Sequence, residues 1–396
     1  MDLDYYNRLK ERIDHILSDG NFSFQELIKK CKGAYPTEIV SVLNAQCYRT
    51  EIKEITMYGN ILEKDREKYV TQRIDNNPVL CSWYFSLETC HRIFKLYEWK
   101  EKNLLFLGMP RLFEYFGLKA ADTELTLVDL DSYVTDSLRR HFGDRGNIIC
   151  SDINNLQYKF EKKFDYIFLD PPWYVEYYDK WIEVAYNLVD KSNGMIIFPL
   201  FQELTRPSAE IQREEILTNL KKCSQNLIIT DFVEYDIPTF EKCELENSDI
   251  LLDSPWKRAD LIMLKHMGRY QPMSVLKKPQ TDSGWTEIDI VKMRLFIKNN
   301  CNRNIDRDTF TIRRLSENKN YLENPSRRNQ ERQLANILTS RGHGYIVDST
   351  EKFIEFLYRL KTEEKKGRRI KDILDSKALN SESKKILMEI FRGILC

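Results

Sequence analysis

The chain has 396 residues, 42% hydrophobic and 31% charged, with 61 Lys and Arg balancing 61 Asp and Glu. That composition supports a large core divided among two or three domains and excludes a disordered or fibrous chain. No apolar run reaches membrane-spanning length, and nine scattered Cys without a C-x-x-C pair exclude a zinc or disulfide framework, so reduced thiols and no bound metal are expected.

The amino terminus, "MDLDYYNRLKERIDHILSDG", is charged and helical, unlike a signal peptide, and makes the cytoplasm the expected location with no membrane partner. Leu9, Ile13, Ile16 and Leu17 recur at helical spacing up to Gly20; "SFQELIKKCKG" is a second short helix, and "PTEIVSVLNAQ" opens a third on Pro36 and Thr37. The alternating "YRTEIKEITMYGNILEK", broken at Gly59-Asn60, predicts a strand pair. Three helices and a hairpin over residues 1–70 suggest a winged-helix-like domain that offers its third helix to a nucleic-acid groove. A packing or dimerisation module is the alternative, because Glu38 is the only charged residue on that helix.

Across 77–268 short apolar runs alternate with helical stretches: "NLLFLG", "ELTLVDLD", "NIICSD", "DYIFLDPP" and "GMIIFPLF" have strand length. The alternation predicts an α/β domain built on a parallel sheet with helices on both faces, closed by an antiparallel edge hairpin from "NLIITDFVEYDIPTF" and "RADLIMLKH". Residues 269–286 read as a linker, rich in proline, glycine and polar side chains. The remainder, 287–396, reads as a mainly helical domain. It is basic, since residues 291–372 carry 20 Lys and Arg against 11 Asp and Glu, a net of +9 that suggests a surface for a polyanion.

Open parallel sheets bind ligands beyond the carboxyl ends of their strands, so those ends were compared. The first gives Leu107, Gly108 and Pro110: glycine permits a close backbone approach, and proline opens the next helix without wasting an N–H. The pattern is not G-x-G-x-x-G, which disfavours a dinucleotide. The second ends in Asp129 and Asp131, where a carboxylate can hold a ribose diol, and the third in Asp152 and Ile153, where an adenine amine can be held. The alternative is that these acids cap the helices that follow.

The fourth end, "FLDPPW", completes a pattern. "CSWYFSLET", "FLGMPRLFEYFG", "LVDLDSYV" and "FDYIFLDPPW", spread over about residues 78–266, together resemble the adenine-N6 methyltransferase family, whose relatives include a zinc-knuckle ribosomal RNA adenine methyltransferase and an elongation-factor lysine methyltransferase. The resemblance implies a Rossmann-like methyltransferase sheet, S-adenosylmethionine as cofactor, and transfer to the exocyclic amine of adenine in RNA or DNA. Trp173 stands where the nearest relatives usually carry Phe, and their zinc-binding modules are not visible. In such a tetrapeptide, the Asp170 carboxylate and the Pro171 carbonyl accept the two amine hydrogens, localising a lone pair otherwise conjugated with the ring. Pro172 stiffens the turn and Trp173 offers a stacking face. Asp170 also borders the cofactor. A bare Pro-Pro turn with Trp173 in the core is the structural alternative. A protein lysine is the alternative acceptor, and a silent cofactor-binding scaffold with nucleic-acid-binding flanks is the alternative role.

Other features are weaker. Trp83, Tyr84 or Phe85 is a candidate wall of the cofactor pocket. Tyr174, with Tyr177, Tyr178 and Trp181 behind it, is a candidate lining of the acceptor pocket, and 234–241 a lid. Arg327, Arg328 and Arg332 are candidate phosphate contacts on a helix that otherwise reads as a solvated face. His343 reads as a turn residue, and Asp348 with Glu351 as a helix start. Nothing in the sequence indicates an oligomeric state.

Overall fold

A computed structural model describes residues 2–46, 68–120, 122–156, 160–252, 254–265, 268, 270–273, 284–290, 293–299, 310–315, 330–375 and 379–391. It divides into two compact units: one from 1–74, 83–237 and 250–281, the other from 75–82, 238–249 and 282–396.

The first unit begins with α1 (Leu3–Ser18), α2 (Phe24–Lys30) and α3 (Pro36–Ala45). Their starts follow local chemistry: Asp2 accepts from the Tyr5 N–H, Ser23 and Glu26 form a reciprocal capping box, and Pro36 occupies the first turn of α3. Tyr5, Leu9, Ile13 and Ile16 are buried along α1. The Tyr5 hydroxyl donates to the carbonyl of Leu204 and to Glu38, each at 2.7 Å, so the helices pack into the same unit as the sheet. Glu38, the charge singled out on α3, is thus engaged in packing. The strand pair expected near Gly59 lies outside the described residues.

The sheet of this unit comprises β1 (Asn103–Leu107), β2 (Glu124–Asp129), β3 (Asn147–Cys150), β4 (Tyr166–Leu169), β5 (Met195–Phe201), β6 (Gln225–Glu234) and β7 (Arg258–Lys265). Their order is β3-β2-β1-β4-β5-β7-β6; every pairing is parallel except those of β7, which runs against both neighbours. Both faces are covered, by α4 (Leu87–Phe94), α5 (Pro110–Lys119), α6 (Ser132–Phe142), α7 (Val175–Leu188) and α8 (Ala209–Lys221), with separate apolar cores on the two sides. That double coverage is why β1, β4 and β5 are unbroken apolar runs rather than alternating ones. The order reverses between β1 and β4, which creates the crevice where such sheets receive ligands. Buried Glu114 on α5 accepts from the backbone N–H of Val70 and Thr71, tying the segment before α4 to this edge.

The second unit adds a sheet to the helices expected at this end. It holds a five-stranded antiparallel sheet of β8 (Trp285–Ile290), β9 (Met293–Lys298), β10 (Ile312–Arg314), β11 (Ile337–Thr339) and β12 (Gly344–Val347), ordered β10-β12-β11-β9-β8. The helices are α9 (Thr239–Asn247), α10 (Gln330–Leu334), α11 (Thr350–Lys365), α12 (Ile370–Asp375) and α13 (Ser381–Ile390). The strands are three to six residues long and interleave buried Ile288, Ile290 and Ile312 with charges, so their composition imitates a solvated helix. β8 starts inside the expected linker, and 238–249 joins this unit although it precedes β7 in sequence. Ser349, not Asp348, caps α11; Asp348 accepts from the Thr311 N–H at 2.7 Å. Among the described residues no helix is long and apolar enough to cross a membrane.

Candidate cofactor and acceptor site

The crevice at the reversal is assembled from loops whose roots are fixed by the sheet. Gly108 follows β1 and donates to the carbonyl of Val128 at 2.9 Å; Asp170 follows β4 and donates its N–H to Leu107 at 3.2 Å. Each loop thus extends the ladder by one rung, which puts Gly108 and Asp170 side by side although 62 positions separate them. Gly108 has φ +66°, and a Cβ there would lie 2.9 Å from the Trp181 ring. Only glycine satisfies both conditions. Trp181 is held in turn by its indole N–H donating to Asn154 Oδ1 at 3.0 Å.

The cleft beside Gly108 is lined by Trp83, Tyr84, Phe85, Met109, Pro110, Arg111, Leu112 and Asp170. Pro110 is the first residue of α5, so that helix presents its free amides at the cleft. Trp83, Tyr84 and Phe85 reach this wall through an isolated antiparallel bridge just past the end of β6: Phe85 bridges Tyr235, and Asp236 donates to the Tyr84 carbonyl at 2.9 Å. Arg111 locks the arrangement, donating to the Phe85 and Thr71 carbonyls, pairing with Asp236 and lying 4.9 Å from the Tyr84 ring centre.

The acids at the neighbouring strand ends divide between roles. Asp129 ends β2 and accepts from the Asp131 N–H at 2.8 Å. Asp131 is the cap of α6, accepting from Tyr133 and Val134, and is 4% exposed. Asp131 thus serves as a cap, as Asp152 does for the turn after β3. Asp152 is half-buried and accepts from the Asn154 N–H at 2.9 Å, while Ile153 belongs to the apolar core. Leu107 is likewise buried, and it serves the site through its carbonyl.

At the acceptor end, the Tyr235 hydroxyl donates to Asp170 Oδ1 at 2.9 Å, and the Trp173 indole also hydrogen-bonds the carboxyl. Desolvation dominates nonetheless and pushes the Asp170 carboxyl up to about 7, while Tyr235, nearby Lys257 and Trp173 act in the opposite direction. The Tyr235 hydroxyl is driven well above its ordinary range, first by burial and then by the charge of Asp170. A carboxyl poised near neutrality can accept a proton where an ordinary surface Asp cannot.

Trp173 is half-buried, edge-on to Tyr235 with ring centres 5.6 Å apart and tilted against Phe201 at 6.2 Å. The Lys257 ammonium lies 4.2 Å from its ring centre. Tyr174 is half-buried before α7, with Arg206 at 5.4 Å from its ring, whereas Tyr177, Tyr178 and Trp181 are buried in packing. Arg332 is not a phosphate contact: it is 7% exposed, and its guanidinium donates to the carbonyls of Pro78 and Val79 inside the second unit. Arg327 and Arg328 lie outside the described residues.

No sequence motif marks Tyr235 or Lys257 as site residues. Tyr235 fell inside the expected lid, but no spacing rule links it to an aspartate 65 positions earlier; only the reversed strand β7 brings the two together.

No family model matches the sequence, and no curated protein matches it. Among solved structures, the branched-chain polyamine synthase of Thermus thermophilus, solved with N4-aminopropylspermidine and 5′-methylthioadenosine, is 12% identical, with a TM-score of 0.51 over 69% of this chain and 91% of its own. A mutein of that enzyme gives 13%, 0.51, 67% and 90%. An N-methyltransferase from Bradyrhizobium japonicum is 13% identical over 52% of this chain and 98% of its own, with a TM-score of 0.31. At such identities the likeness speaks to fold alone: the sheet of the first unit, with its parallel body and antiparallel edge, is Rossmann-like.

Proposed function

We propose that the chain is an S-adenosylmethionine-dependent N-methyltransferase whose acceptor nitrogen is held at Asp170. The observation that carries this reading is the pairing of Gly108 with Asp170 at the reversal point of the sheet, the second bearing a carboxyl raised to about 7 and oriented by Tyr235. The residues fit the cofactor. Gly108 lines the cleft with bare backbone, α5 offers amides beside it, and Asp129 and Asp152 end adjacent strands where hydroxyl and amine groups of a nucleoside need acceptors. S-adenosylmethionine, when bound, supplies a methyl group activated on a sulfonium.

Asp170 has two tasks. Its carboxylate accepts a hydrogen of the acceptor amine, drawing the nitrogen towards tetrahedral geometry, and it then holds the proton that leaves that nitrogen. The Pro171 carbonyl is the second acceptor at this turn. The aromatic wall of Trp83, Trp173 and Tyr235 excludes water, which strengthens each of these interactions. The tetrapeptide favours the exocyclic amine of adenine in a nucleic acid as acceptor, with Trp173 as stacking face. A second reading, an alkyl amine such as a lysine or a polyamine, is favoured by a specific observation: a lysine ammonium already rests over Trp83 and Trp173, at 4.0 and 4.2 Å from the ring centres. The polyamine synthase with the same fold binds such an amine.

Transfer of labelled methyl to RNA, DNA, protein and spermidine in parallel tests the reaction and separates the acceptors. Label in N6-methyladenine supports the first reading and label in an alkyl amine the second; no transfer to any of them refutes the enzyme.

A further inference from the structure

Lys257 immediately precedes β7, and its carbonyl accepts from the Tyr235 N–H at 3.1 Å, so the root of the side chain is fixed by the sheet. Its ammonium is enclosed by three rings: Trp83 at 4.0 Å, Trp173 at 4.2 Å and Tyr235 at 5.5 Å from their centres. Trp83 and Tyr235 meet edge to face, as do Trp173 and Tyr235, and Trp256 stands edge-on to Trp83. The same ammonium lowers the pKa of the Asp170 carboxyl through its charge. Several aromatic faces with a carboxylate beside them are what a protein uses to hold an organic cation.

We propose that Trp83, Trp173, Tyr235 and Asp170 form an alkylammonium-binding cage at the acceptor end of the cleft, and that Lys257 is its resident occupant, displaced when the acceptor enters. This rests on the second reading above and narrows it to an alkyl amine. Charge balance decides for that class. When the lysine arm swings out, an incoming ammonium restores a positive charge beside Asp170 and keeps it ionised, whereas a neutral base leaves the carboxyl without a counter-charge and drives it to its protonated form. Lysine suits a removable occupant because its compact charge sits on a flexible four-carbon stem and regains full hydration outside the cage. A ligand that competes with an internal occupant has an apparent affinity reduced by the fraction of time the cage is empty, so occupancy of 90–99% by Lys257 would weaken it by about 10- to 100-fold.

The test is calorimetric titration of the full chain with n-butylammonium, a lysine side-chain analogue, and with uncharged 1-butanol. Lys257→Ala should bind n-butylammonium about tenfold or more tightly than the wild type and leave 1-butanol binding unchanged. Lys257→Arg, which keeps a cation in the cage, should show no gain. Adding Trp83→Ala to Lys257→Ala should abolish the gain, with circular dichroism verifying the fold of each variant. Equal n-butylammonium affinity in wild type and Lys257→Ala would overturn the proposal, and so would an equal gain for 1-butanol, which would mark a merely apolar slot. A gain for adenosine without one for n-butylammonium would assign the cage to a base and overturn the ligand class. The readout is binding alone, so absence of methyl transfer would sink the enzymatic reading while leaving this result intact.

Discussion

Replacing Asp170 with Asn should make the protein more stable at neutral pH and inactive at once. The carboxyl has an ordinary value of 3.8 and is raised to about 7 in the fold, chiefly by desolvation. Between those values the folded state keeps a proton that the unfolded state has released, so raising the pH draws the equilibrium towards unfolding. The sign follows: the contribution of this carboxyl to stability is greatest below about pH 4, falls through pH 7, and is level above it. At about 1.4 kcal/mol per unit, a shift of three units sets a ceiling of about 4 kcal/mol for this penalty. Asn keeps an oxygen to accept from the Tyr235 hydroxyl but cannot ionise, which removes the penalty. The gap between variant and wild type should widen by about 2.5 kcal/mol from pH 5 to pH 8, read from urea midpoints of the first unfolding transition at each pH. Methyl transfer should meanwhile fall about 100-fold or more. Parallel pH profiles for the two proteins would refute the argument, because they would mean that Asp170 ionises in the fold as it does in water.

Gly108→Ala puts a methyl 2.9 Å from the Trp181 ring at φ +66°, so it should destabilise by about 1–3 kcal/mol in thermal melts and abolish S-adenosylmethionine binding in calorimetry. Asp129→Ala should weaken that binding several-fold or more while the fold persists, at about 0.5–1.5 kcal/mol per lost hydrogen bond; unchanged affinity would remove Asp129 from the site. Tyr235→Phe deletes a hydrogen bond that favours the charged carboxylate, so the acid limb of the kcat/KM profile should move to higher pH; an unmoved limb would exclude Asp170 as its source. Arg332→Ala leaves the carbonyls of Pro78 and Val79 short of a donor and should cost about 1–3 kcal/mol in stability with no change in cofactor affinity.

Much of the chemistry is legible in the linear sequence because it is encoded locally. An apolar run of strand length followed by Gly108 or by Asp170-Pro171-Pro172-Trp173 specifies its own strand and turn, and the alternation of such runs with amphipathic helices admits few topologies besides a parallel sheet covered on both faces. The residues at the first and fourth strand ends, and those of the antiparallel edge, therefore stand where their pattern indicates. Caps are the exception, since an aspartate after a strand satisfies helix amides and ligand groups equally well, and Asp131 and Asp152 each cap the turn that follows their strand.

What sequence pattern could not supply depends on contacts between distant segments. Tyr235 and Lys257 meet Asp170 because β7 runs against its neighbours, a choice made by sheet packing and not by any spacing. Arg332 turns inward because buried carbonyls at Pro78 and Val79 need a donor more than solvent needs a charge. The short strands of the second unit join two local hairpins, β8–β9 and β11–β12, through the distant pairings β9–β11 and β10–β12, and strands of three to six residues carry too little pattern to be read before a partner fixes the register.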